Sequence, residues 1–196
     1  MIRIGILGDI GSGKSFIAKL FKQPVFDADK EVKKIYNRDR DCYVKLKKKL
    51  PDFVKSFPIK KNYLINSINK DKKNLYKISS IVHPIVRKKM KIFLRKNKNK
   101  KMVVLDIPLL IENNLNKKND ILIFVKTSQK KIIKRLKRRP NFNPKVLKNL
   151  KEKQIMLVKK RKISNFIIDN NYGPNIMKKK INSLKNKILD ERNSTW

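Results

Sequence analysis

The chain has 196 residues, enough for a single domain with a real buried core or one core carrying inserted parts. Apolar residues make up 40% of it, and no apolar run approaches the ~20 residues needed to span a membrane. Lys and Arg number 53 against 15 Asp and Glu, a formal net charge of +38 that attracts any polyanion and specifies none.

In chain order, Ile2–Leu7 is a short apolar run that reads as a strand. It enters Gly8-Asp9-Ile10-Gly11-Ser12-Gly13-Lys14-Ser15, which fits the phosphate-binding pattern G-x-x-x-x-G-K-[ST]. Ser15–Phe21 then has helical spacing, with Phe16, Ile17, Leu20 and Phe21 expected on one side. Strand, glycine-rich turn and helix start together aim backbone N–H groups at an anion. In such a loop the Lys14 amine reaches the β/γ-phosphates of a nucleoside triphosphate, and the Ser15 hydroxyl binds Mg²⁺.

Val25-Phe26 reads as a second strand running into Asp27-Ala28-Asp29. Residues 30–100 read as mostly helical, in segments at Glu31–Tyr36, Asp41–Leu50, Tyr63–Ile68, Leu75–Ile81 and Pro84–Phe93, with Pro84 suited to a first helical turn. Strands return at Met102–Leu105 and Ile121–Val125, both continuous apolar runs of the kind found in parallel sheets covered on both faces. Ser128 is placed to cap a helix through Ile132, Ile133 and Leu136, and a further helix is expected from about Lys145 to Lys159. Phe166–Ile168 reads as a last strand and Ile176–Leu189 as a last helix. Strands alternating with helices predict an α/β fold, a doubly wound and mostly parallel five-stranded sheet, with residues 30–100 as a helical insertion too long for one crossover. The ligand then lies at the carboxyl ends of the strands, where Gly8, Asp27, Asp29 and Asp106 fall.

Phosphoryl transfer needs a metal, a positioned acceptor and cations on the transferring group. Asp29 suits the proton acceptor for a hydroxyl, or the N-cap of the helix that follows. Asp106 ends an apolar strand, where a metal-binding carboxylate or a turn residue is expected, and Asp27 is a second metal candidate. Arg135 and Arg139 stand four apart, on one helical face, as phosphate ligands or as part of a solvated basic face. His83 is the only histidine and Cys42 the only cysteine, so an intrachain disulfide is impossible and neither a zinc site nor a Cys–His nucleophile pair is expected.

The order of these elements resembles the dephospho-coenzyme A kinases, which are P-loop kinases. The resemblance runs through Gly5–Ser15, Asp27-Ala28-Asp29, Val82-His83-Pro84-Ile85-Val86-Arg87, Asp106-Ile107-Pro108-Leu109-Leu110-Ile111-Glu112, Arg135 with Arg139, Gln154, and Ile168–Gly173. It covers nearly the whole chain. It implies ATP and Mg²⁺ as cofactors and dephospho-coenzyme A as the small-molecule acceptor. By the same resemblance, Gly8, Gly11, Ser12, Gly13, Lys14, Ser15 and Phe16 bind nucleotide, with Ser15, Asp27 and Asp106 at the metal. Asp29, Lys14, Arg135 and Arg139 would be catalytic. Asp29, His83, Arg87, Pro108, Leu109 and Leu110 would contact the acceptor. A lid of about residues 135–159 would close over the phosphates. Leu7 and Asp9 depart from the Thr and Gly usual in that family, and the Asp9 carboxylate weakens ATP binding if it faces the phosphates.

Two other readings stand beside this one. Another small-metabolite or nucleotide kinase would keep the loop and change the acceptor. A nucleic-acid-binding protein with a vestigial loop would explain the charge, but the lysines are scattered from end to end and no zinc-finger, homeodomain or RNP signature accompanies them. The expected protein therefore has no specific nucleic-acid partner and no membrane partner. It is a monomer or small homo-oligomer, and it is cytoplasmic, since the amino end carries no signal-peptide pattern.

Overall fold

The computed structural model describes residues 1–138, 142, 144, 147, 151–152 and 154–193. They form two compact units, one of residues 1–26 and 99–196 and the other of residues 27–98.

The first unit is built on a five-stranded sheet in the order β2-β3-β1-β4-β5. The strands are β1 Ile2–Gly8, β2 Val25–Asp27, β3 Met102–Asp106, β4 Ile121–Lys126 and β5 Phe166–Asp169. The central pairings are all parallel: Gly5 stands opposite Leu105 on one side and Leu122 on the other, and Val125 opposite Ile168. Alternate residues Ile2, Ile4 and Ile6, Met102 and Val104, Ile123 and Val125 share one face. That face packs on Ile17, Ala18 and Phe21 of α1 (Lys14–Leu20 and its C-cap) and on Met177, Ile181 and Ile188 of the last helix. Burying each large side chain contributes roughly 1.5–3 kcal/mol. The opposite face is buried too, through Leu105, Leu122 and Phe124, which explains why these strands read as unbroken apolar runs. Gly5 is required there: a Cβ on it would stand 2.5 Å from Leu110 Cδ2 and 2.9 Å from Leu122 Cδ2.

The second unit is helical: α2 Ala28–Arg38, α3 Arg40–Lys49, α4 Lys61–Lys70 and α5 Lys73–Lys96, with α5 packed against the other three. In the first unit, α6 Gln129–Lys137, α7 Leu157–Lys162 and α8 Pro174–Asn193 follow β4 and flank β5. No helix among the described residues is long and apolar enough to cross a membrane.

Several expected boundaries are corrected. The segments Leu75–Ile81 and Pro84–Phe93 are one helix, α5, with Pro84 inside it. Ile78, Val82, Val86 and Met90 recur every four residues and form a buried stripe that runs straight past the proline. Pro84 and Ser80 are exposed, so the Ser80 carbonyl that loses its helical partner can turn to water. α2 starts at Ala28, and its N-cap is Asp27 rather than Asp29: Asp27 Oδ1 accepts from Lys30 N at 2.9 Å. Ser128 holds the N-cap position of α6 without a side-chain cap bond; its own N–H donates to Asn171 Oδ1 at 3.0 Å. Phe16 is 37% exposed, and the buried stripe of α1 is Ile17, Ala18 and Phe21. The helix expected to run through Lys159 is interrupted, since residues 154–156 are not helical. The Ile155 N–H donates at 3.1 Å to Glu112 Oε1 instead of to a helical carbonyl.

Candidate active site

The loop from Gly8 to Ser15 leaves the carboxyl end of the central strand, and its shape is held from outside. The Ser12 carbonyl accepts three donors: Thr127 Oγ1 at 2.8 Å, Asn170 Nδ2 at 2.8 Å and Arg135 Nη1 at 3.0 Å. They come from the ends of β4 and β5 and from α6. Gly13 has φ 91°, a left-handed conformation that glycine adopts without penalty, and a Cβ there would lie 2.4 Å from Asn170 Nδ2. Gly11 leaves space for Leu136 and Ile132 of α6, which a Cβ would meet at 3.0 and 3.2 Å.

Lys14 opens α1, and its amine folds back onto the loop, donating to Asp9 O at 2.8 Å and Gly8 O at 3.1 Å. A charge held over the loop's own carbonyls is placed for an anion seated in the loop. Ser15 and Phe16 follow in the first turn, both exposed. Asp106, the last residue of β3, is 5% exposed and lies one strand over from the loop. Pro108 and Leu109 are half-buried, while Leu110 is fully buried against Gly5 and belongs to the core. Arg135 lies within α6, its guanidinium turned to the loop. Arg139 lies outside the described residues, as does much of the stretch expected to form a lid.

The remaining expected residues belong to the second unit. Asp27, at the end of β2, is occupied by the α2 cap and by Lys30 Nζ at 3.6 Å. Asp29 is exposed in the first turn of α2. His83 and Arg87, half-buried and exposed, stand one turn apart on the same face of α5.

Four positions that shape this region escaped the sequence reading. Thr127 directly follows β4, so the strand-end rule that singled out Asp106 also reaches it. Asn170 directly follows β5 in the same way. Lys151 lies 3.6 Å from Asp9 Oδ2, and Lys160, 1% exposed at its side chain, is paired with Glu112 Oε1 at 2.7 Å. Nothing in a chain with 53 basic residues distinguishes those two lysines. A second buried pair, Arg3 with Asp120 at 3.0 Å, sits at the opposite ends of the strands and is structural. Burial pushes the Asp120 carboxyl up, against the opposing pull of the Lys117 N–H and of Arg3.

Comparison with known proteins points to one family. The family model described as dephospho-CoA kinase matches residues 2–175. Among curated relatives, the dephospho-CoA kinase of Ehrlichia canis is 36% identical over 174 residues, covering 86% of each chain. That of Zymomonas mobilis is 31% identical over 180 residues, covering 90% of each. Among solved structures, TT1252 from Thermus thermophilus has a TM-score of 0.74 at 24% identity and covers 97% of both chains. The dephospho-CoA kinase from Campylobacter jejuni has a TM-score of 0.66 at 20% identity, covering 95% of this chain and 96% of that one. At these identities the structural likenesses establish the fold.

Proposed function

The chain belongs to the dephospho-CoA kinase family, and on that premise we propose how its residues carry the reaction. It is a kinase that moves the γ-phosphoryl group of ATP to the ribose 3′-hydroxyl of dephospho-coenzyme A, giving coenzyme A and ADP in the last step of coenzyme A synthesis. The observation that carries the assignment of residues is the Gly8–Ser15 loop, held in shape by three donors on one carbonyl and closed by the Lys14 amine.

The backbone N–H groups of the loop and the Lys14 amine hold the triphosphate, the amine passing from the Gly8 and Asp9 carbonyls to phosphate oxygens. Asp29 orients the acceptor hydroxyl and takes its proton as the new bond forms; its position in the first turn of α2 and its exposure support that role. Arg135 bridges Ser12 and Asn170 and brings a positive charge to the loop, and Arg139 is assigned to the phosphates by family resemblance alone. His83 and Arg87 on one face of α5, with Pro108 and Leu109, are assigned to the acceptor.

The donor set also fits Mg²⁺. The Ser15 hydroxyl and the Asp106 carboxylate are hard oxygen ligands, and Mg²⁺ characteristically takes one or two carboxylates and fills its remaining positions with water and phosphate. Asp27, with one oxygen committed to a helix cap, is the weaker third ligand. When bound, the ion would neutralise charge on the β- and γ-phosphates. The lone cysteine, buried Cys42, suits a reducing compartment, and we place the enzyme in the cytoplasm.

The test is ADP release from ATP with dephospho-coenzyme A present and absent. Acceptor-dependent turnover is expected, with Lys14→Ala and Asp29→Asn reducing it by at least about 100-fold while circular dichroism stays native. Turnover indifferent to dephospho-coenzyme A would transfer the site to another acceptor. Full activity in Asp29→Asn would remove the base assignment.

A further inference from the structure

Asp9 is a carboxylate inside a phosphate loop, and the structure shows what surrounds it. Its side chain is 6% exposed. Oδ1 accepts from Ile10 N at 2.7 Å. Oδ2 has no hydrogen-bond partner among the described residues. Facing Oδ2, at 3.6 Å, is the amine of Lys151, whose side chain is 44% exposed and so partly open to solvent. The other ammonium of the loop, Lys14, donates to the Asp9 backbone carbonyl and is assigned to the phosphates once nucleotide arrives.

A buried negative charge beside a triphosphate site opposes the ligand, because Coulomb repulsion in a partly dry site falls slowly with distance. From this geometry we propose that Lys151 is a positioning residue: it acts as the counter-ion of Asp9, cancelling that carboxylate so that the loop can accept a polyanion. The inference rests on the reading of the loop as the ATP site. It gives Lys151 a role that works through Asp9, not through direct contact with a phosphate, and the two roles make opposite predictions.

The experiment is calorimetric measurement of ATP affinity in the wild type, Lys151→Met, Asp9→Asn and the double variant. Asn at position 9 keeps an oxygen for the Ile10 N–H. Lys151→Met is expected to weaken ATP by about tenfold, the order of the effect of one uncancelled unit charge near a polyanion at an effective dielectric near 20. Asp9→Asn binds ATP at least as tightly as wild type. In the Asp9→Asn background Lys151→Met costs less than about twofold, since without the Asp9 carboxylate the partly exposed Lys151 amine is no longer held beside the loop. Adenosine, which carries no phosphate, binds equally to all four proteins, and added KCl shrinks the Lys151→Met loss. Lys151→Gln and Asp9→Gly repeat the cycle if either first choice fails to fold. An equal loss in both backgrounds would mean the Lys151 charge acts on the phosphates independently of Asp9 and would overturn the proposal. So would no loss in the wild-type background, or a matching loss for adenosine. A wild-type protein that binds no ATP at all removes instead the reading on which the proposal stands.

Discussion

Glu112 closes the Asp106–Glu112 segment, and its Oε1 does two things at once. It accepts the Ile155 N–H at 3.1 Å and pairs with Lys160 Nζ at 2.7 Å. The lysine side chain is 1% exposed and the glutamate side chain 9%, so solvent screens the pair little. Glu112→Gln preserves an oxygen for Ile155 but leaves a buried ammonium facing a neutral amide. Removing one partner of a buried pair costs about 3–5 kcal/mol. In a chain of this length, with roughly 2–4 °C of Tm per kcal/mol, that is a fall of about 6–20 °C. Lys160→Met should cost a comparable amount, because Glu112 Oε2 already lacks a hydrogen-bond partner among the described residues and the carboxylate would lose its cation as well. The double variant is expected within about 1 kcal/mol of wild type, since apolar or neutral replacement of a whole buried pair is often tolerated. Urea unfolding of the four proteins at pH 7, followed by circular dichroism, gives the coupling energy directly. The reasoning is refuted by a Glu112→Gln protein within about 0.5 kcal/mol of wild type, or by a double variant whose loss equals the sum of the singles.

Gly13→Ala places a methyl 2.4 Å from Asn170 Nδ2 and 3.1 Å from Arg135 Nη1 at φ 91°. It should lower ATP affinity by more than about tenfold with a Tm loss of only a few degrees, the left-handed strain alone being about 1–2 kcal/mol; unchanged affinity would show that the loop tolerates a reshaped Ser12 carbonyl. Cys42 is fully buried, and its thiol is pushed up to about 11, first by burial and then by Asp39, with Lys45 opposing. The folded state therefore holds this proton longer than the unfolded chain does. Its contribution to stability is fully present below the ordinary value of 9.0 and is lost as pH rises through about 11. Cys42→Ala should flatten the fall in stability across that window, and in wild type the thiol should react with an aromatic disulfide reagent only after urea is added. Reaction in the native state at pH 8 would contradict the burial.

The fold was legible where local pattern and tertiary use coincide. β1, the loop and α1 follow from one motif flanked by an apolar strand, and the buried parallel strands announce themselves as apolar runs without alternation. The reading failed at Pro84, where a local rule about proline was set above a longer signal. Ile78, Val82, Val86 and Met90 already spelled one continuous helix, and packing of that stripe decides the outcome. It failed again at residues 154–156, where the competitor for a backbone N–H is a glutamate 43 positions away, a contact that no local pattern encodes. The site divides in the same way. Lys14 and Ser15 are named by spacing and Asp106 by its strand end, but Lys151 and Lys160 acquire meaning only from the carboxylates they meet.

The Ser12 carbonyl explains why the loop can have its shape before nucleotide arrives. Three donors from three separate elements end on that one oxygen, and each is fixed by structure that exists for other reasons: Thr127 and Asn170 by the ends of parallel strands, Arg135 by a helix whose Ile132 and Leu136 pack where Gly11 leaves room. The conformational cost of ordering the loop is thus met during folding, which leaves more of the binding energy for the ligand. Donors set in advance also serve the reacting phosphoryl group better than donors that must reorganise. The acid at position 9 is held by the loop as well. Asp9 Oδ1 accepts the Ile10 N–H and the side chain is buried, so its charge is answered by a cation from outside the loop, and the Lys151 amine faces it at 3.6 Å.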